Sequence, residues 1–370
     1  MKKESLISTI FLMVVLAFAI IMGLTVISDA FGRLYESNMS PILFTILVLF
    51  LGFVFNVVMM ELAHVIGAKI GKCKVVSVNF YFLCFKKSAK GWKFCIDDFD
   101  GLTGETKIVK TEKSKLNAYV WMPIVVYSFE LALAILLYSM GNSATADSAL
   151  KWLAIAALLW IILSSILFVY DFIPFRLDTM NDGYRLSLLT KKENATALVD
   201  YMDYQGRLSY EGKPVELSYN ETITDFTADM NLIVVEQAIL AKKYKEALEM
   251  LLKMKGPELK IDPFIKKRIV ASEMFVRLMS EPLEEVKKFY EESVEDGDRK
   301  FISNDTTIES LRTYSLIAGL IDNSQFEVQY AVSKKEKALK KCNKLLVEEE
   351  NKLFSEVVQM IAKAHPEWKK

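Results

Sequence analysis

Ionisable side chains inside a hydrocarbon layer are costly, so those lying in or against apolar stretches are the first candidates for chemistry. Here they are few. Glu61 and His64 stand at the end of a second apolar stretch, Glu130 lies within a third, and Asp171, Asp178 and Asp182 follow a fourth. The chain has two histidines, and the other, His365, sits almost at its end. His64 comes three residues after a carboxylate, in Glu-x-x-His. On a helix, residues four apart share a face. Two histidines so spaced can grip one Zn²⁺, and a glutamate next to the first can act as general base. A third ligand from elsewhere leaves a position open for water, whose pKa the metal lowers toward about 7. A lone histidine near a helix end is more often structural. The neighbouring Glu61 and the membrane boundary argue for function here.

The elements that must position these residues are apolar. Ser5–Ser28 and Ser37–Met60 contain no charged residue, Leu116–Ala146 is interrupted only by Glu130, and Trp152–Tyr170 has no charge across 19 positions. About 20 apolar residues cross a hydrocarbon core of about 30 Å. Four transmembrane helices are therefore expected, at about 6–27, 41–66, 117–140 and 152–172. The first run is longer than a signal-peptide core and lacks a good cleavage site, so a retained span is expected. Lysines set the orientation. Lys2 and Lys3 precede the first span, 28–40 carries only Arg33, and 69–115 is lysine-rich, as is everything after Tyr170. Both termini and 69–115 are expected on the cytoplasmic side of a multi-pass cell-membrane protein, of bacterial type by composition. The second and fourth spans then end at one boundary, which brings Asp178 and Asp182 toward His64. Lys+Arg and Asp+Glu both number 46. This balance gives no argument for nucleic acid as a partner. Cys73, Cys84, Cys95 and Cys342 form no C-x-x-C pair and are expected as free thiols on the reducing side.

Between the spans, 74–110 is β-prone. Val75–Phe85 and Trp92–Ile96, split by Lys86–Gly91, predict a hairpin or small sheet at the cytoplasmic interface, with Phe80, Tyr81, Phe82 and Phe85 against headgroups or the bundle. Pro174 should end or kink the fourth helix. Glycines and Pro214 predict a linker over 201–225. From 226 to 370 the pattern is helical. Ala238–Leu251 has the spacing of a tetratricopeptide-like helix pair or of an ordinary helical hairpin. The expected fold is thus an α-helical membrane domain over 1–200 with a small β element, followed by a soluble helical domain.

Met60-Glu61-Leu62-Ala63-His64 resembles the His-Glu-x-x-His helix of the site-2 protease family of intramembrane zinc metalloproteases. The stretch from Gly71 to Phe85 resembles that family's short β segment. The family's second motif, Asn-x-x-Pro followed by Asp-Gly, resembles Asp171-Phe172-Ile173-Pro174 and Asp182-Gly183. The order of parts over residues 41–200 also agrees. The resemblance implies zinc as cofactor, Glu61 as the group that activates water, and His64 and Asp182 as ligands, with Asp178 the alternative to Asp182. It implies a membrane-associated or transmembrane peptide as substrate.

The sequence departs from that pattern in three places. Met60 stands where the family has its first zinc-binding histidine. Asp171 replaces asparagine, and Pro174 is eight residues from Asp182. A neutral thioether suits Cu(I) better than Zn²⁺. Two readings therefore remain: an impaired metallopeptidase, or a pseudoprotease that binds peptide or protein partners, with the helical C-terminal domain as a further partner surface. Glu130 has readings as a substrate-positioning or proton-path residue, as an interhelical hydrogen-bonding group, or as the edge of a span. Asn56, on the turn before Met60, either bonds between helices or lines a cavity.

Overall fold

In a computed structural model the described residues are 41–80, 82–88, 91–96, 104–143, 148–174, 180–211, 215–256 and 258–369, with positions 10, 13, 14, 17, 20, 21 and 25. Apart from those seven positions the expected first span lies outside them, and so does Asp178. The chain divides into two compact units, Met1–Glu211 and Gly212–Lys370.

In the first unit, α1 (Pro41–Ile70), α2 (Asn117–Gly141) and α3 (Ser148–Phe172) are long apolar helices. Among the described residues, three helices are long and apolar enough to cross a membrane: Leu43–Ile70, Asn117–Gly141 and Ala149–Phe172. At about 1.5 Å per residue, the 30 residues of α1 span about 45 Å. The helix therefore outruns a hydrocarbon core of about 30 Å, and Glu61 and His64 fall near one end. Aromatic edges seam α1 to α3, with Phe44 against Trp152 (4.6 Å between ring centroids) and Phe55 against Trp160 (5.3 Å).

The β-prone segment forms four strands, β1 (Lys74–Phe80), β2 (Leu83–Ser88), β3 (Gly91–Ile96) and β4 (Gly104–Val109). They pair antiparallel in the order β3-β2-β1-β4. The Val75–Phe85 run thus breaks into two strands. Lys86–Ser88, expected in a turn, continues β2 instead. β1 is the interior strand against the helices, with Val76, Ser77, Val78 and Asn79 all buried. β3 is an edge. It shares one face with β2 through the pairs Leu83–Ile96, Phe85–Phe94 and Lys87–Trp92. Trp92, Phe94 and Ile96 on that face are exposed.

Two short helices follow, α4 (Asp182–Leu189) and α5 (Lys192–Glu211). The helix α5 corrects the expected linker, because 201–211 are helical. Gly206 read as a helix breaker in sequence. In the fold it is a close-approach position: a Cβ there would lie 1.9 Å from the Ile108 carbonyl oxygen. Only glycine lets α5 lie on the backbone of β4. Lys110 fastens the same contact, its N–H donating to Asp203 Oδ1 at 2.7 Å and its Nζ to Asp200 Oδ1 at 2.5 Å.

The second unit is helical. It contains α6 (Asp225–Leu240), α7 (Tyr244–Lys253), α8 (Pro263–Ser280), α9 (Leu283–Ser293), α10 (Asp296–Asn304), α11 (Ile308–Leu316), a π segment (Ile317–Ile321), α12 (Gln325–Leu339) and α13 (Val347–Ala364). Local chemistry sets the starts. Thr224 and Thr227 form a reciprocal capping box at α6, and Asp262 caps α8 ahead of Pro263. A three-residue turn joins α6 to α7, with Lys242 at φ 62°. Ile239, Leu251, Ile269, Met274, Phe275 and Val357 share one core. His365 has a structural role: its Nε2 lies 2.7 Å from the Gly319 carbonyl oxygen and its ring stacks on Trp368.

Through that core runs a buried ion network. Arg312 on α11 bonds Glu350 on α13 at 2.6 Å and both oxygens of Glu236 on α6 at 2.7 and 2.6 Å. Its guanidinium lies over the Phe275 ring at 4.5 Å. Burial, opposed by Arg312 and reinforced by Glu236 and Glu309, pushes the Glu350 carboxyl up to about 8. In the unfolded chain it would titrate at about 4.3. The folded unit therefore holds this proton more tightly. Stability is greatest below about 4.3 as far as this group is concerned, and is lost as pH rises toward 8. The loss is at most about 1.4 kcal/mol per pH unit. Amide hydrogen exchange of α13 in the full chain is expected to quicken between pH 5 and pH 8 by more than the intrinsic chemical rate. Glu350→Gln should flatten that excess, and an unchanged excess in the variant would refute the assignment.

Candidate functional site

The residues singled out in sequence converge where α1 meets β4, the start of α2 and the start of α4. His64 and Asp182 do come together, with Nε2 3.2 Å from Oδ2, and both side chains are buried. Oδ2 makes no aligned hydrogen bond. Its partner oxygen does: Arg185 donates to Asp182 Oδ1 at 2.9 Å. Burial favours a neutral Asp182, but His64 and Arg185 outweigh it and hold the carboxyl below the usual carboxylate range.

The start of α2 orients the imidazole. His64 Nδ1 lies 3.3 Å from the Tyr119 carbonyl oxygen, and the two rings stack at 4.5 Å between centroids. A carbonyl only accepts, so Nδ1 carries a proton, and Nε2, 3.2 Å from a carboxylate oxygen, carries one too, which a metal would have to displace. Metal-bound histidines use such a backbone partner to fix their tautomer. The Tyr119 hydroxyl donates to the Thr106 carbonyl oxygen at 2.8 Å, and Arg185 sits over the Tyr119 ring at 5.7 Å.

Glu61 points elsewhere. Its Oε2 accepts from the Thr106 hydroxyl at 2.6 Å, so β4 holds it within the same buried site. Asp171 reaches the loop from the end of α3, its Oδ1 lying 3.5 Å from the Asp182 N–H. The helix ends at Phe172, two residues before Pro174. Asn181 caps α4 by accepting from the Tyr184 N–H at 2.9 Å. It also donates to the Tyr170 and Ile173 carbonyl oxygens at 3.1 and 2.6 Å.

Gly183 lets this loop close. A Cβ there would meet the Phe172 carbonyl oxygen at 2.1 Å and the Pro174 nitrogen at 2.9 Å, both backbone. Gly183→Ala is expected to displace α4 and cost about 1–3 kcal/mol, the usual range for overpacking. A detergent melt of the variant that superimposes on the parent would refute this.

Arg185, Tyr119 and Thr106 were not singled out in sequence. Arg185 had a signal, a cation three residues after Asp182 on one helix face. Asn181 had another, a capping residue directly before a helix. Tyr119 and Thr106 had none, since they depend on strand register and on the approach of α2. Asn56 and Glu130 lie apart from this cluster, in the helix bundle.

The donor set decides how far a zinc ion fits. His64 Nε2 and Asp182 Oδ2 are suited to it in identity and orientation. Position 60, the place for a partner four residues before His64, offers only a thioether. Among the described residues no group of three or more His, Cys, Asp or Glu is arranged to hold a metal ion. The described residues therefore do not make a zinc site. No protein-family model, no curated protein and no solved structure matches this chain.

Proposed function

We propose that this chain is a membrane-embedded, site-2-protease-like pseudoprotease that binds membrane-associated peptides or protein partners without cleaving them. One observation carries this reading. His64 and Asp182 face each other as two thirds of a ligand set, Arg185 neutralises the aspartate, and Met60 takes the remaining place. Glu61, which would have to activate water, is instead bonded to Thr106.

Four transmembrane helices with both termini in the cytoplasm, a cell-membrane location of bacterial type and a tetratricopeptide-like character for the second unit belong to the same proposal. The exposed edge of β3 supports peptide binding. An extended peptide can add there as a further strand, taking affinity from main-chain hydrogen bonds. The exposed aromatic face of β2 and β3, with Lys87 paired to Trp92 on it, suits a bilayer interface.

A second reading, an impaired zinc metallopeptidase, draws on the backbone-anchored His64 ring and the Asp182 oxygen turned to its Nε2. Elemental analysis of detergent-purified protein separates the two. The pseudoprotease reading expects zinc well below one per chain. Stoichiometric zinc with Met60 in place, together with peptide hydrolysis lost in Glu61→Gln, would overturn it.

A further inference from the structure

One polar layer in the bundle is not used by the site above. Asn56 on α1, Glu130 on α2 and Ser164 on α3 are all buried, within helices apolar enough to cross a membrane. Their protons can be counted. Asn56 Nδ2 donates to the Gly52 carbonyl oxygen at 2.7 Å, which fixes the amide and turns Oδ1 toward Ser164. The Ser164 hydroxyl donates to that Oδ1 at 2.7 Å. A serine hydroxyl has one proton, and it is now spent. Ser164 also faces Glu130, to which it can offer only lone pairs. A carboxylate there would meet lone pairs, whereas a carboxylic acid would donate into them. Among the described residues, the buried Glu130 Oε1 has no hydrogen-bond partner, and no cation acts on this carboxyl. A bare charge in such surroundings is expensive, and the group neutralises instead.

We propose that Glu130 is a proton-binding site of the membrane bundle, a carboxylic acid that donates to Ser164 at neutral pH. Losing the proton breaks the Glu130 O–H bond and sends the proton to solvent. The Ser164 hydroxyl then turns to donate to the new carboxylate, and Asn56 Oδ1 loses its donor. The layer thus has two hydrogen-bond arrangements, with Ser164 as the moving part. Among the described residues, the polar groups bonded into it from the other helices are Asn56 on α1 and Ser164 on α3, and neither titrates. The change reaches α1, the helix that carries Glu61 and His64 five and eight residues further on. Nothing in this depends on whether the chain binds zinc or peptide.

Infrared spectroscopy of the full chain in lipid nanodiscs reads the proposal directly. A protonated-carboxyl stretch is expected at neutral pH that disappears in Glu130→Gln and moves in Ser164→Ala, which removes the acceptor. Dicyclohexylcarbodiimide, which reacts with protonated carboxyls in apolar surroundings, is expected to label Glu130, with labelling falling as pH rises. If Glu130→Gln fails to fold, the Ser164→Ala shift and the mass-mapped labelling of the parent protein decide. Absence of both the stretch and the label would overturn the proposal. So would labelling suppressed by sodium at constant pH, which would mark a metal-cation site instead.

Discussion

Met60→His is expected to raise the zinc affinity of this chain by ~100-fold or more and to bring its zinc content to about one per chain. The reason is already in the fold. His64 presents Nε2 with its other nitrogen held at the Tyr119 carbonyl oxygen, and Asp182 turns Oδ2 to that Nε2 at 3.2 Å. A histidine at 60 lies one helical turn from His64 on the same face of α1, within chelating reach. Removing a second-shell partner already changes metal affinity by about 10–100-fold, and a first-shell ligand does more. The variant is also expected to gain peptide hydrolysis that Glu61→Gln removes while zinc stays bound. Zinc uptake without hydrolysis would show that the Glu61–Thr106 bond holds the carboxylate out of service. Thr106→Val would then be the next change to make. No gain in zinc would refute the convergence of His64 and Asp182 as ligands.

The second large effect belongs to the helical unit. Arg312→Ala is expected to destabilise Gly212–Lys370 by about 3–5 kcal/mol, the range for removing one partner of a buried ion pair. It leaves the part-buried Glu236 carboxylate without its cation and the buried Glu350 without its hydrogen-bond partner, and removes the group packed over Phe275. Whole domains are stable by only about 5–15 kcal/mol, so the loss removes at least about a fifth of the unit's stability. Arg312→Met, which keeps volume but not charge, is expected to be nearly as harmful unless Glu350→Gln accompanies it. Denaturant titration of the full chain, followed at Trp368, reads this. A midpoint shift under one fifth of the parent value would count against it.

How far the sequence spoke follows from which forces placed each residue. The second, third and fourth apolar stretches announced their helices because spanning length is written in composition. Glu61, His64 and Asp182 were legible together because motif spacing and the expectation that two spans end on one side both pointed to one boundary. The sheet was legible as β-prone sequence, but its strand breaks were not, since Lys86–Ser88 look like turn residues until they pair with Gly91–Lys93. Gly206 misled for a related reason. A glycine in a polar stretch is the same symbol whether the chain must bend or another backbone must come close. Arg312 was invisible, because a charged residue on an amphipathic helix reads as surface. Only the approach of α6 and α13 makes it interior.

The contact at Gly206 has one more consequence. The helix α5 is the last element before the second unit begins, and it lies on β4 without a side chain between them. The same strand holds Thr106 and through it Glu61. A shift of α5 is therefore a shift of β4, because no compressible side chain separates them at Gly206, and it reaches the Glu61 carboxylate through Thr106.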